Sequence, residues 1–300
     1  MDNLDIKILS ELLDNCRESD RQIGAKLGIS GGAVHSRIQK MEKRKIIEEF
    51  FIKVEPPVLG YGVLYFVVSG EKINDVLDQV SLVGEPFFVA PCIGGITVCS
   101  IVIKENLEQK IELAKKLMKD IRVLSIFEAK NPGFNSNLTK TDLEILEELI
   151  KNPRQKIEMI AKHTHMSTKT ITRCIEKLKK NDGIQFTLIY DPKKIESFIP
   201  HAILTWISKN VKETLKEMNE KFLESYLQIP FIAKNQIVLF MYSKNIFEMD
   251  RLTQQIRELK NVESADLFIP KKISFFNKWL EEFIFDSKKL SKLHLSYQTN

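Results

Sequence analysis

The fold is decided by residues 20–44, which read DRQIGAKLGISGGAVHSRIQKMEKR. One helical pattern ends before Gly28-Ile29-Ser30, and another begins directly after it. Gly28 suits the left-handed backbone that ends a helix, Ile29 can enter the core, and Ser30 can cap the helix that follows. A tight turn before the last of three helices is typical of a helix-turn-helix.

The same pattern returns later in the chain at a constant offset of 137 residues, without a gap. Seven positions carry it in both copies: Ile8, Leu9, Leu12, Ile23, Ser30, Ile38 and Ile47 return as Ile145, Leu146, Leu149, Ile160, Ser167, Ile175 and Ile184. Turn lengths drift between copies unless geometry fixes them, so the sequence predicts a duplicated, geometrically constrained trihelical unit.

A string of strand and helix patterns in the order βαββαβ follows each helical unit. Gly94-Gly95 and Lys234-Asn235 are predicted hairpin turns within it. This order is typical of a ferredoxin-like sandwich. The predicted class is therefore α+β, with two winged helix-turn-helix domains (1–54 and 138–192) alternating with two ferredoxin-like βαββαβ domains (55–131 and 198–287). A helix over Phe275–Phe285 is assigned to the last domain, a linker to residues 131–137, and a loose basic tail to residues 288–300.

The third helix of each unit is predicted to have one buried and one outer face. Val34, Ile38 and Met41 follow the spacing of a buried stripe in the first unit. The outer face is short and polar at its start and basic further along, which suits a DNA major groove. The candidate DNA-binding residues are Ser30, His35, Ser36, Arg37, Gln39, Lys40 and Lys43, and then Ser167, Thr168, Lys169, Thr172, Arg173 and Lys177.

These candidates divide by chemistry into two groups. His35, Ser36, Gln39, Thr168 and Thr172 are candidates for base edges, and Lys40, Lys43, Lys169, Arg173 and Lys177 for phosphates. Arg37 is expected near the edge of the buried stripe. Double-stranded DNA is thus the predicted partner.

The composition is that of a globular protein, with 43% hydrophobic and 28% charged residues and a net charge of +5. The longest apolar runs are far shorter than the roughly 18 residues of a membrane helix. The acidic start has no signal-peptide pattern. The cytoplasm is the expected compartment, and no membrane partner is predicted.

With these segments placed, the chain resembles the Lrp/AsnC family of prokaryotic transcription regulators. The resemblance rests on residues 4–9, LDIKIL, and on the motif from Leu27 to Ile47. It implies a winged helix-turn-helix that reads DNA and a βαββαβ domain that dimerises and, in many members, binds an amino acid. This chain departs from the family by carrying two copies, and neither hairpin, 94–97 or 234–237, has the family's Asp.

Two other functions remain open at this point. The first is a siroheme-decarboxylase-like enzyme, which needs His and Arg on a sheet, where the sequence offers only His201. The second is a scaffold that binds proteins instead of DNA. No catalytic residue, cofactor or metal is predicted, because His163, His165 and Cys174 lack a fourth ligand at a suitable spacing. A small-molecule effector and a homo-oligomer formed through the αβ domains are left open.

Overall fold

The computed structural model describes residues 1–69, 72–104, 106–118, 121–129, 138–233 and 235–297. The predicted linker at 131–137 and Lys234 of the second predicted hairpin turn lie outside the described residues. Over the described ranges, no helix combines the length and the hydropathy that crossing a bilayer requires.

Each half of the chain begins with three helices and a strand. In the first half these are α1 (Asn3–Asp14), α2 (Asp20–Leu27), α3 (Gly31–Lys43) and β1 (Ile47–Val54). In the second half they are α6 (Lys140–Lys151), α7 (Ile157–Thr164), α8 (Thr168–Lys179) and β6 (Ile184–Tyr190). Asp2 caps α1, because its carboxylate accepts hydrogen bonds from the N–H groups of Leu4 and Asp5.

The two turns before α3 and α8 have the same backbone conformation. Gly28 (φ 72°) and His165 (φ 55°), which are equivalent in the two copies, both lie in the left-handed region. Gly24 packs so closely under the first turn that a Cβ there would lie 2.6 Å from the carbonyl oxygen of Ile29. Ser30 and Ser167 cap α3 and α8 through the N–H groups of Ala33 and Thr170. The predicted turn chemistry is confirmed at both sites.

The strands that follow the two helical units pair with each other. Antiparallel pairing of β1 with β6 aligns Phe50 with Leu188 and Ile52 with Phe186, and we call this pair the β1–β6 ribbon. The sequence predicts a wing after each helical unit without specifying the partner of its strand. The partner is the equivalent strand of the other copy.

The ribbon exchanges core residues between the two helical units. Ile52 and Val54 of β1 pack into the cluster that contains the helices of the second unit. Leu188 and Tyr190 of β6 pack into the cluster of the first unit. Each helical core is therefore completed by a strand from the other copy, so that the two units share their cores.

Each αβ half is a four-stranded antiparallel sheet with two helices. The first comprises β2 (Gly62–Ser69), α4 (Ile73–Ser81), β3 (Glu85–Pro91), β4 (Ile96–Ile103), α5 (Leu107–Leu117) and β5 (Val123–Ala129). The second comprises β7 (Ile199–Ile207), α9 (Val211–Phe222), β8 (Tyr226–Ala233), β9 (Gln236–Ser243), α10 (Ile246–Arg257) and β10 (Val262–Phe268). The strand orders β3-β4-β2-β5 and β10-β7-β9-β8 are those of the split βαβ sandwich, so the predicted α+β class with ferredoxin-like halves is confirmed.

The C-terminal segment differs from its prediction in extent and in placement. It forms a short strand, β11 (Ser274–Phe275), and a helix, α11 (Lys278–Tyr297), which continues well into the tail that was expected to be loose. β11 pairs with β3 of the first sheet, and Trp279 packs against Tyr61 and Phe87. The assignment of this helix to the second αβ half was wrong, because its aromatic face covers the first half.

Candidate nucleic-acid interface

The outer face of α3 is open to solvent. His35, Ser36, Gln39, Lys40 and Lys43 are exposed, while Val34, Ile38 and Met41 of the same helix are buried. The face therefore has the predicted character, with short polar side chains near its start and lysines in its last turns. Lysines at this end are also electrostatically favourable, because the C-terminal end of a helix is the negative end of its dipole.

The outer face of α8 has the same organisation. Thr168, Lys169, Thr172, Arg173 and Lys177 are exposed, and Ile171, Cys174, Ile175 and Leu178 are buried. The Thr172 hydroxyl donates to the carbonyl oxygen of Thr168, 2.9 Å away, and so retains its acceptor lone pairs. Ser167 and Ser30 are exposed, but their hydroxyl oxygens accept the capping hydrogen bonds.

Two of the candidate cations form ion pairs within their own unit. Arg37 donates to Asp2 and to Asp5, at 2.8 and 2.6 Å, and these are the residues that form the capping box of α1. Lys177 pairs with Asp142, which forms the corresponding capping box of α6. Both cations therefore join the third helix to the start of the first helix.

Sequence reasoning missed these ion pairs, although one signal for them was present. Asp5 and Asp142 are equivalent in the duplication, and both are buried carboxylates. Their cations are not equivalent, because Arg37 lies one helical turn earlier in its copy than Lys177 does in the other. A buried carboxylate requires a partner, but the periodic pattern does not say which basic residue supplies it.

The Asp142 pair makes a testable contribution to stability at low pH. Burial opposes charge on this carboxylate, but hydrogen bonds from Lys177 and Thr139 outweigh it and lower its pKa. Since the folded pKa lies below the unfolded one, the contribution is present above the unfolded value of about 3.9. It is lost as the pH falls through the folded value.

We expect Asp142→Asn to lower the free energy of unfolding near neutral pH by about 1.5–3 kcal/mol, the usual value for a hydrogen bond to a charged group. The difference from the wild type should shrink as the pH falls below about 4. Urea unfolding at several pH values measures this difference, with Asp182→Asn at an exposed carboxylate as the control. A constant difference at all pH values would contradict the assignment.

The two helical units contact each other directly through equivalent arginines. Arg17 donates to the carbonyl oxygen of Gln155 at 3.1 Å and also to that of Pro153. Arg154, its counterpart at the 137-residue offset, lies 3.5 Å from Asp20 and stacks 4.7 Å from the ring centroid of Phe50. Together with the β1–β6 ribbon, these contacts fix the second unit against the first.

The contacts between the units extend to the outer face of α3. The Nδ1 atom of His35 lies 2.8 Å from Asp20, the same carboxylate that faces Arg154 of the other unit. A side chain predicted to reach a base edge is therefore positioned partly by the second copy. This link joins residues far apart in the sequence, and no local pattern indicates it.

His201, the one sheet residue considered for an enzyme, lies on β7 and is among the residues that line the space between the two αβ sheets. It pairs in register with Met241 of β9. Its Nδ1 atom lies 3.0 Å from the carbonyl oxygen of Ile199, and burial lowers its pKa. His201 is thus a buried histidine whose ring is held against its own strand. Among the described residues, no group of three or more His, Cys, Asp or Glu is arranged to hold a metal ion.

Comparison with known proteins identifies both helical units. A model described as the AsnC-type helix-turn-helix domain matches residues 1–42. A model described as a winged helix-turn-helix, DNA-binding, matches residues 138–184. The two matches fall on the two copies of the repeated pattern.

Curated relatives match as well. The HTH-type transcriptional regulator Ptr1 of Methanocaldococcus jannaschii is 30% identical over 111 residues, which are 36% of this chain and 75% of Ptr1. Regulatory protein AsnC of Escherichia coli is 39% identical over 67 residues, 22% of this chain and 44% of AsnC. An uncharacterised HTH-type transcriptional regulator of Pyrococcus furiosus is 35% identical over 79 residues, 25% of this chain and 53% of its own length.

Solved structures with a similar fold have a lower sequence identity to this chain. The siroheme decarboxylase NirDL is 14% identical, with a TM-score of 0.49, over 97% of this chain and 100% of its own. E. coli AsnC is 24% identical, with a TM-score of 0.31, over 44% of this chain and 94% of its own. Both likenesses are too remote to bear on function.

The sequence matches and the repeated helix-turn-helix lead to one assignment. Ptr1 is covered over three quarters of its length, and the first 42 residues fit the AsnC-type domain. The chain belongs to the Lrp/AsnC family of transcriptional regulators.

Proposed function

We propose that this chain is a sequence-specific DNA-binding transcription regulator in which two helix-turn-helix units of one polypeptide act as an internal pseudo-dimer. The observation that carries the proposal is the pairing of β1 with β6. The two strands of an antiparallel pair are related by an approximate two-fold axis. The two recognition helices of a dimeric helix-turn-helix protein are related in the same way.

The recognition helices would divide the contacts with DNA between them. Lys40, Lys43, Lys169 and Arg173 are exposed and would neutralise phosphates, whereas Arg37 and Lys177 would chiefly hold their helices in place. His35, Ser36, Gln39, Thr168 and Thr172 would reach base edges. Each phosphate contact adds about 0.9 to the slope of log affinity against log salt.

The preferred DNA site should be asymmetric. The exposed polar side chains of α3 are His35, Ser36 and Gln39, whereas those of α8 are Thr168 and Thr172. Helices with different side chains read different half-sites, even when a pseudo-two-fold axis relates them. The half-sites should be separated by about one DNA turn, roughly 34–36 Å, or a multiple of it.

The proposal treats the chain as a non-enzymatic regulator that acts on DNA in the cytoplasm. The names of the curated relatives support this choice over a decarboxylase. Further pairing of two chains through the αβ halves is compatible with it, since β5 and β10 are edge strands of their sheets.

Selection from a random DNA library, followed by sequencing, tests the proposed function. We expect enrichment of one asymmetric motif with two dissimilar half-sites. A perfect inverted repeat would contradict the pseudo-dimer, and the absence of any enriched motif would favour the scaffold. Titration with a tetrapyrrole, monitored in the visible spectrum, is the matching test for the decarboxylase alternative.

A further inference from the structure

The two αβ sheets face each other across a cavity of about 150 Å³. Its walls are the sheet faces that point away from the helices, with Val67 and Phe127 on the first sheet and Ala202 and Phe240 on the second. The ribbon strands also line it, through residues such as Lys53 and Thr187, and so does the segment that follows β10, through Pro270 and Ile273. The cavity therefore touches the three sheets at the point where both helical units attach.

The lining is mainly apolar, and the polar groups of the ribbon are already occupied. The Nε2 atom of Gln185 and the hydroxyl of Thr187 both donate to the carbonyl oxygen of Leu13, at 3.0 and 2.8 Å. Lys53 pairs with Glu55 at 2.5 Å, and its Nζ lies over the rings of Phe231 and Phe275. The charge of Lys53 is thus already neutralised by Glu55, and burying a further charge beside this pair is costly.

The size and chemistry of the cavity select one class of ligand. A cavity of about 150 Å³ with a mainly apolar lining has the volume that accommodates a molecule the size of benzene. Tyr65, Gln228 and His201 also line this cavity, and each carries a hydrogen-bonding group. An uncharged molecule with one aromatic ring and at most one hydroxyl group matches these walls, whereas a zwitterionic amino acid does not.

A ligand in this position would contact the β1–β6 ribbon, which connects the two helix-turn-helix units. β6 continues directly from the second helical unit, and its Leu188 and Tyr190 complete the core of the first. Filling the space between the sheets and the ribbon would change how rigidly the ribbon holds both units. Binding energy at the cavity can therefore be coupled to DNA affinity.

We infer that the cavity between the sheets is a binding site for an uncharged, single-ring aromatic ligand that alters DNA binding. The binding site stands on the cavity alone, and the regulatory effect rests on the proposed function. Binding and DNA affinity are therefore measured separately.

Thermal unfolding of the full chain with p-cresol, toluene or phenylalanine tests the binding site. We expect p-cresol and toluene to raise the Tm saturably, because a ligand that binds only the folded state stabilises it. Phenylalanine at the same concentrations should leave the Tm unchanged. Ala202→Leu, which fills the cavity, should abolish the shift, whereas Ala25→Leu at an exposed position should retain it. The melting curve itself reports whether each variant is folded.

The opposite results would overturn the binding site. These are the absence of a saturable shift with both aromatic probes, an equal shift in Ala202→Leu, or a larger shift with phenylalanine than with p-cresol. If p-cresol binds but leaves the affinity for the selected DNA site unchanged, the regulatory part is refuted while the binding site stands. If no DNA site is selected, the proposed function fails and the binding result is unaffected.

Discussion

Trp279→Ala is expected to lower the free energy of unfolding by about 3–5 kcal/mol, the usual cost of truncating a large buried aromatic residue. The Trp279 side chain is fully buried, and it contacts the rings of Tyr61 and Phe87 at centroid distances of 6.1 and 6.2 Å. It belongs to the same cluster as Ile145 and Leu149 of the second helical unit. Its loss should therefore loosen the first αβ half and the second helical unit together.

Phe285→Ala on the same helix is the matched control, because 68% of the Phe285 surface is exposed. This variant should change the free energy of unfolding by less than about 0.5 kcal/mol. Urea unfolding measures both variants. It is monitored by the circular dichroism of the backbone, a signal that does not depend on the tryptophan that is removed. Equal effects of the two substitutions would contradict the placement of α11 on the first αβ half.

The double variant Lys169→Ala/Arg173→Ala is expected to weaken DNA binding for all sequences and to flatten its salt dependence. Both side chains are exposed on the outer face of α8. Each lost phosphate contact removes about 0.9 from the slope of log affinity against log salt, so the slope should fall by about 1.8. Fluorescence anisotropy with the selected site between about 50 and 200 mM salt covers the range in which this effect is large.

Lys209→Ala/Lys212→Ala is the control for charge alone, since it removes the same net charge from exposed positions at the start of α9. Long-range attraction would weaken equally in both double variants, whereas contact loss would affect only the α8 variant. An unchanged slope in Lys169→Ala/Arg173→Ala would show that the second unit does not touch phosphates. The chain would then read DNA with α3 alone.

The elements that local chemistry determines could be predicted from the sequence. The turn at Gly28 and the caps at Ser30 and Ser167 depend on neighbouring residues, and each is present in the structure. The βαββαβ order of elements along each αβ half followed from the apolar patterns and the Gly94-Gly95 turn. The exposure of the outer faces of α3 and α8 followed from helical periodicity.

The long-range pairings could not be predicted from the sequence. β1 and β6 are both apolar strands, and nothing in IEEFFIKV or IQFTLIY says that they pair with each other. The ion pair between Arg37 and Asp5 spans 32 residues. This ion pair uses the side chain of Arg37, which the sequence pattern had placed among the candidate DNA-binding residues.

The C-terminal helix shows the same limit. An aromatic amphipathic pattern at its start predicted a helix with a buried face, and that face is buried through Trp279 and Leu280. The pattern does not indicate which surface of the protein this face packs against. Proximity in sequence suggested the second αβ half, but β11 joins the first sheet and directs α11 there.

Hydroxyl-radical footprinting of one chain on its selected DNA site shows whether both helix-turn-helix units contact the duplex. We expect two protected patches on one face of the duplex, separated by about one helical turn. One of them should be lost in Lys169→Ala/Arg173→Ala and the other in Lys40→Ala/Lys43→Ala. A single patch, or two patches that both vanish with either variant alone, would contradict a chain that reads DNA with both of its helix-turn-helix units.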